Sequence, residues 1–421
     1  MIVPSIDISD GQAVQLVGGE TPAIEAGDPL PILERFGLVG EVAVVDIDAA
    51  RGEGDNAEQI TELCRRGRVR VGGGIRDLAA ARRWLDLGAE KIVIGTAATP
   101  GLLGELPRDR VVVALDSRDG EVLTHGWRQG TGTGVLERVQ QLRGLCGGFL
   151  ITFVEREGRL AGTDIDRAAT VIQAASPARV TIAGGITTPA EVAELDRMGA
   201  DAQVGMALYG GQLTLAGSLA AMMHSDRPDG LWPTVVVDEL GTALGLVYSS
   251  SESLDRALEE RQGIYHSRTR GVWVKGETSG ATQDLLAVDI DCDRDTLRFT
   301  VRQSEPGFCH TSDRTCWGED YGVGRLARRL GQIALSDDSE SNTRKLFDDP
   351  DLLAAKLNEE AAELGAARTT EDVIHEAADL LYFLLVRARA AGVDLDEVAR
   401  ELDRRERRAI RRPMTTKERL P

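Results

Sequence analysis

The sequence predicts a multidomain chain: an N-terminal (β/α)8 barrel over residues 1–226, a central β-rich α+β domain over 231–319 and a C-terminal all-α helical bundle over 322–421. Three observations predict this order. From Met1 to about His224, eight short apolar runs alternate with stretches of helical spacing, the pattern of a parallel barrel. At Ser225-Asp226-Arg227-Pro228-Asp229-Gly230 both periodicities break, which marks a linker. Beyond about Asp320 the two-residue alternation gives way to apolar residues at helical spacing. The 421 residues, 42% of them hydrophobic, suffice for several packed cores.

Charge and composition narrow the function. A net charge of −19 argues against a nucleic-acid surface, because phosphate backbones require basic faces. There is no apolar run of about twenty residues and no charged-then-apolar leader at the N-terminus, so no membrane association is expected and a cytoplasmic location is. Five cysteines in a chain of this length fit a reducing compartment, with Cys64 and Cys146 as ordinary packed residues.

The eight expected barrel strands are Met1–Ile6, Val42–Val45, Val69–Val71, Lys91–Ile94, Val111–Leu115, Phe149–Phe153, Arg179–Ile182 and Ala202–Val204. The segment repeats internally: Gly72-Gly73-Gly74 is followed about twenty residues on by Gly95-Thr96, and Gly184-Gly185 at a similar spacing by Gly205. Glycines after a strand let backbone N–H groups approach a phosphate, so two such loops in register imply a ligand phosphorylated at both ends. Asp7 ends the first strand and Asp116 the fifth, and a carboxylate from each half across the mouth suits proton transfer on a sugar.

Through Ser5-Ile6-Asp7, Gly72-Gly73-Gly74-Ile75-Arg76, Leu115-Asp116 with Gly126-Trp127, and Gly184-Gly185-Ile186, the segment resembles phosphoribosylformimino-AICAR-phosphate isomerase. The resemblance implies that Asp7 and Asp116 act as base and acid in an Amadori rearrangement. Two departures stand out. Gln15 occupies a family arginine position, and Phe153 and Glu157 replace two aspartates. The barrel is therefore expected to keep its phosphate loops and either to isomerise, to bind without reacting, or to scaffold.

In the central domain, strands are expected at Thr234–Asp238, Ala243–Tyr248, Leu285–Ile290 and Leu297–Val301, with a helix capped by Ser251 or Ser253. Asp289, Asp291, Asp293 and Asp295 fall at alternate positions, which as a strand would place them on one face with Cys292 opposite among hydrophobic residues. Such an acidic face calls for screening by cations or water, and a bound hard cation is the economical answer. Cys292, Cys309 and Cys316, spaced C-x16-C-x6-C, offer three sulfurs and leave a fourth position open, as in catalytic zinc sites. Buried reduced thiols are the alternative.

Tyr265-His266-Ser267-Arg268-Thr269-Arg270, Trp273 to Gly280, Asp291 to Asp295, Gly307-Phe308-Cys309-His310 and Cys316 closely resemble phosphoribosyl-AMP cyclohydrolase. The resemblance implies a zinc domain: Zn2+ on the three cysteines and Mg2+ near Asp291, Asp293 and Asp295, opening an adenine ring. His310 is a proton carrier on this reading. Arg268, Arg270 and Lys275 supply cations to the substrate's phosphates, and Glu277 and Ser279 lie in the same binding motif.

In the expected bundle, helices run over Gly324–Leu335, Ser341–Phe347, Asp349–Leu364, Thr370–Ala391 and Leu395–Arg408. Lys356, Glu359, Glu360 and Glu363 share one helical face. Glu376 and Asp379 lie one turn apart on a helix so apolar that it is expected to be largely buried, where carboxylates need cations. Facing acids on two helices make a magnesium cage suited to a polyphosphate. This pattern, with Ser341 and Thr343 upstream, resembles phosphoribosyl-ATP pyrophosphatase, implying Mg2+ on the five acids and Lys356 against the leaving pyrophosphate. The expected chemistry is removal of pyrophosphate from phosphoribosyl-ATP followed by ring opening of phosphoribosyl-AMP, two steps of histidine biosynthesis. Bundles that share a metal cage between chains commonly dimerise, so a homodimer is expected.

Overall fold

Each of the eight apolar runs forms a parallel strand, and the eight close on themselves. In the computed structural model, which describes residues 1–19, 21–124, 126–336 and 340–408, the first twelve strands are β1 (Ile2–Ser9), β2 (Gln12–Val17), β3 (Thr21–Gly27), β4 (Val42–Asp46), β5 (Val69–Gly72), β6 (Lys91–Ile94), β7 (Val111–Arg118), β8 (Glu121–Thr124), β9 (Gln129–Gly134), β10 (Gly148–Phe153), β11 (Arg179–Ala183) and β12 (Asp201–Val204). The parallel circuit runs β1–β4–β5–β6–β7–β10–β11–β12 and returns to β1 through the pairs Ile2 with Ala202 and Pro4 with Val204. Alternate residues fill the two sides: Val112, Leu150 and Ala183 pack together, while Val113, Ile151 and Ile182 are fully buried among their own neighbours. Residues 337–339 and 409–421 of the expected C-terminal domain lie outside the described residues.

β2–β3 and β8–β9 extend the first strand of each half as antiparallel hairpins, which the sequence reading does not anticipate. Asp7 and Asp116 consequently do not end their strands, which run on to Ser9 and Arg118. Both extensions turn at an Asp-Gly pair in the left-handed region: Asp10 at φ 50° with Gly11, and Asp119 at φ 50° with Gly120. The supports of the two turns differ. In the first half, Asp48 accepts from Ser9 Oγ at 2.8 Å and the Asp10 amide at 2.7 Å, and Asn56 accepts from the Gly11 amide at 2.8 Å. In the second, Arg167 reaches Glu155 at 2.7 Å and Asp119 at 3.6 Å.

The three sequence domains fold into two compact units. Among the described residues, the first joins Met1–Val236, Leu246–Glu305 and residues 407–408, and the second comprises Val237–Gly245 and Pro306–Glu406. The barrel is followed by strands β13 (Trp232–Asp238), β14 (Ala243–Ser249), β15 (Ile264–Ser267), β16 (Gly271–Val274), β17 (Gln283–Ile290) and β18 (Leu297–Gln303), with the end of β13 and the start of β14 assigned to the second unit. A four-stranded sheet has the order β14–β13–β18–β17, and β15–β16 is a separate hairpin. Fully buried Tyr265 packs its ring 5.5 Å from Phe299 and donates its hydroxyl to Gln283 at 2.6 Å. The helix Ser251–Glu260 is capped by Ser250, one residue ahead of the expected caps. Ser253 completes the cap by accepting from the Ser250 amide at 2.9 Å.

The acidic run is not a strand face. β17 stops at Ile290, and Asp291 to Thr296 form the turn into β18, with Arg294 at φ 68°. Asp291 drives this by accepting from the Asp295 and Thr296 amides at 3.0 and 3.1 Å, the local bonding that pulls Asp out of extended structure. Asp289 stays behind in β17, where its cross-strand partner Arg298 holds it at 2.8 Å. Cys292 is exposed rather than packed among hydrophobic residues.

In the second unit the chain is helical from Gly322: Gly322–Ala334, Asn342–Asp348, Pro350–Ala366, Thr370–Ala390 and Leu395–Glu406. Ser341, Asp349 and Thr369 cap three of them. Leu330, Leu346, Leu353, Leu385 and Val386 form the core, with Phe383 packed against it. The helix Thr370–Ala390 is not largely buried as expected. Val373, Ile374, Leu381 and Leu384 are exposed because the core contacts only one side of it.

Candidate functional sites

The barrel mouth gathers three acids. Asp7 on β1 and Asp116 on β7 stand at equivalent places in the two halves, and Glu157 follows β10. Enclosure by protein pushes the Asp7 carboxyl up to about 7. Glu157 rises to about 7 through enclosure first and then the charges of Asp7 and Asp116. Enclosure also raises Asp116, against hydrogen bonds from the Trp127 and Thr152 side chains. Glu157 reads in the sequence only as a departure from a family aspartate, yet it is the group that couples electrostatically to both others. Its position in that motif was the available signal.

The glycine loops sit on the same rim. Gly73 and Gly184 adopt φ of 95° and 99°, and a Cβ there would lie 2.2 Å from the Asp46 carbonyl oxygen and 2.6 Å from that of Phe153. Only glycine fits either position. A small cavity is lined by Ser5, Glu157, Gly184, Gly185, Gln203 and Gly205, bringing the second pair of predicted phosphate-loop glycines together with one acid. Gln15 is buried and its Oε1 lies against Gly205, where a Cβ would come within 2.4 Å, so it brings an amide rather than a charge to this loop. Gly74 has φ 69°; Gly95 and Thr96 are exposed after β6.

Still in the first unit, Asp291, Asp293 and Asp295 converge, with oxygens within 4.8 Å of one another. Partial burial opposes ionisation of Asp291, but the Thr296 and Asp295 amides hold its carboxyl below the usual range. Such a carboxylate cluster has the chemistry of a hard-cation site. Arg268 stacks over Tyr248 at 5.1 Å and lines a cavity with Ser250, His266 and Asp229; Arg270 lies over Trp273 at 5.8 Å. Both are exposed, as are Glu277 and Ser279. Lys275, expected to meet the substrate's phosphates, is 7% exposed and donates to the Ala281 carbonyl at 3.1 Å, across the Gly276–Gly280 turn.

In the second unit, Cys309 and Cys316 lie side by side in one loop. The Thr311 hydroxyl and amide, with a contribution from Cys316, pull the Cys309 thiol below its ordinary value, as a metal ligand requires. His310 Nδ1 is 3.7 Å from Cys309 Sγ. Between the cysteines, Arg314 pairs at 3.2 Å with fully buried Asp238, which also takes Arg328 at 3.5 Å. Cys292 belongs to the first unit, so each unit by itself carries part of the predicted sulfur set.

Two carboxylate triplets form on the helices: Glu359, Glu360 and Glu363, and Glu360, Glu376 and Asp379, each with oxygens within 4.8 Å. Glu360, 5% exposed, belongs to both. Lys356 bridges Glu359 at 2.8 Å and Glu360 at 3.1 Å, an ammonium standing where a cation is wanted. Glu363 is raised by desolvation and then by the charges of Glu376, Glu360 and Glu359. One lysine among five acids leaves negative charge that fits a hard dication.

Comparison with known proteins follows the same division. Residues 1–214 match the family model described as histidine biosynthesis protein, 245–318 that of phosphoribosyl-AMP cyclohydrolase, and 323–406 that of phosphoribosyl-ATP pyrophosphohydrolase. A histidine biosynthesis trifunctional protein of Neurospora crassa is 48% identical over 202 residues, covering 48% of this chain and 23% of its own length. A histidine biosynthesis bifunctional protein of Schizosaccharomyces pombe is 47% identical over 201 residues, covering 48% of each. An imidazole-4-carboxamide isomerase of Natronomonas pharaonis is 38% identical over 235 residues, covering 52% of this chain and 98% of its own length. The matched stretch thus spans from a quarter to a half of the first two relatives. With more than half of its length matched to that first model, the chain belongs to the histidine biosynthesis protein family.

Proposed function

We propose that this chain catalyses consecutive steps of histidine biosynthesis: hydrolysis of phosphoribosyl-ATP to phosphoribosyl-AMP and pyrophosphate, then hydrolytic opening of the adenine ring. The observation that carries the reading is the pair of carboxylate triplets sharing buried Glu360, on helices that follow in sequence the loop that pairs Cys309 with Cys316. In the first step, Glu359, Glu360, Glu363, Glu376 and Asp379 are the residues that would hold Mg2+, which would screen the charge of a polyphosphate. Lys356, released from Glu359 and Glu360, meets the departing pyrophosphate. In the second, Cys309 and Cys316 would be ligands for Zn2+, with Cys292 the third sulfur that the sequence offers, and the ion would supply a water acidic enough to attack an aromatic carbon near neutral pH. His310, beside Cys309, carries the proton. Asp291, Asp293 and Asp295 would hold a further Mg2+, and Arg268 and Arg270 would meet phosphate oxygens.

The barrel carries the following isomerisation on this reading. Asp7 near neutrality and Asp116 at the equivalent place in the other half support acid–base work on a sugar over a scaffolding role. The two-phosphate aminoaldose fed to the purified protein and to Asp7→Asn decides it: conversion by the parent alone is expected, and none by either leaves the barrel as a binding domain. The exposed apolar side of the helix Thr370–Ala390 supports a homodimer. No helix among the described residues is long and apolar enough to cross a membrane. The hydrolytic steps are tested by supplying phosphoribosyl-ATP with Zn2+ and Mg2+ and following pyrophosphate and ring-opened product; plain ATP turned over equally well would mark the helical unit as a general nucleotide pyrophosphatase.

A further inference from the structure

Arg294 sits in the middle of the acidic turn, between Asp293 and Asp295, but its guanidinium is taken up elsewhere. Its Nε and Nη2 each lie 2.8 Å from one carboxylate oxygen of Asp196, in the last turn of the barrel helix Pro189–Arg197. Its Nη1 donates to the Asp291 carbonyl at 2.7 Å, and the His224 amide donates to the Arg294 carbonyl at 2.9 Å. The Asp196 side chain is 7% exposed and that of Arg294 25%. Two-point geometry with this burial distinguishes the pair from the exposed bridges that contribute little. The Met1 amine also donates to Asp196 at 2.9 Å, so the carboxylate is fully engaged.

We propose that Asp196 is a positioning residue for the Asp291–Asp295 turn: through Arg294 the barrel fixes the turn's shape and keeps a guanidinium off the three carboxylates. An unanchored Arg294 would be the nearest cation to Asp293 and Asp295 and would compete for them. The bond to the Asp291 carbonyl passes the anchor directly to the first of the three acids, and Cys292 follows in sequence. A barrel residue thereby governs chemistry in the neighbouring domain, independently of any reaction in the barrel itself. The activity arm of the test rests on the ring-opening reading; the exchange and labelling arms do not.

The test uses the full chain with Asp196→Asn, Arg294→Gln and the double variant. Amide hydrogen exchange over residues 291–296 and the alkylation rate of Cys292 are expected to rise in each single variant, with the double variant no faster than the singles. Ring opening is expected to fall roughly 10-fold or more, as for other groups that orient metal ligands, while pyrophosphate release is unchanged. Arg294→Gln keeps the Met1–Asp196 contact, so it reports on the turn even if Asp196→Asn weakens the barrel. Parental exchange and labelling rates in both single variants would overturn the proposal. A parent protein that opens no ring would instead remove the ring-opening reading, and the exchange comparison would still decide whether the anchor exists.

Discussion

Asp7 sits at the barrel mouth at about 7, whereas an unfolded aspartate ionises near 3.9. The folded state therefore holds more protons than the unfolded chain between those values. Stability from this group is complete below about pH 4, declines as pH rises, and is lost above about pH 7. Glu157 follows the same course. Asp7→Asn and Glu157→Gln are accordingly expected to raise the barrel's melting temperature more at pH 8 than at pH 5. With water reaching the mouth, the gain is on the order of 1–2 kcal/mol each, and differential scanning calorimetry across that range checks it. The same substitution at Asp7 removes a group placed for proton transfer, so isomerisation should fall by roughly 100-fold or more. At Cys309, replacement by Ala is expected to abolish zinc retention and ring opening while pyrophosphate release persists, measured by metal analysis beside both assays.

The helical elements divide into supporting and reacting sides. Leu385 and Val386 face the core, and Leu385→Ala should destabilise the second unit by about 2–4 kcal/mol, read from denaturant unfolding. Glu360 belongs to both carboxylate triplets, so Glu360→Gln is expected to cut pyrophosphate release and raise the Mg2+ requirement, with ring opening of supplied phosphoribosyl-AMP unaffected. Element by element, the barrel strands were legible because short apolar runs bounded by glycine or polar residues have few alternatives. The hairpins were not. Gln129–Gly134 reads Q-G-T-G-T-G and Thr21–Gly27 is largely exposed, so neither carries the alternation that marks a strand. The acidic turn was misread for the opposite reason. Its alternating aspartates imitate a strand, and only the backbone bonds accepted by Asp291 and the left-handed Arg294 reveal a turn. The site acids on the helices were legible from spacing, since positions three and four apart share a face whatever the tertiary context.

At the scale of the molecule, three sequence domains give two compact units: β17 packs on Gly37–Val39 of the barrel and falls with β18 in the first, while the Cys309–Cys316 loop goes with the helices. Motif spacing along the chain carries no information about that partition. The exposed Ile374 and its neighbours follow from the same limit, since one chain's sequence does not distinguish a face that needs a second copy from one that faces water. Ile374→Glu is expected to turn the proposed homodimer into a monomer in sedimentation velocity, with the single-chain helical content kept.

The two Asp-Gly extensions of the barrel also have unequal sensitivities to their surroundings. One is tied by two amides and a hydroxyl to Asp48 and Asn56, hydrogen bonds that pair no two opposite charges for dissolved ions to screen. The other depends on Arg167, whose partners Glu155 and Asp119 are partly or largely open to solvent. Since the Debye length contracts to about 3 Å at 1 M salt, concentrated electrolyte should loosen the rim beside Asp116 while leaving the rim beside Asp7 in place. A mouth whose two carboxyls stand at equivalent places in the two halves would then be lopsided in practice, with one lip that answers to ionic strength and one that does not.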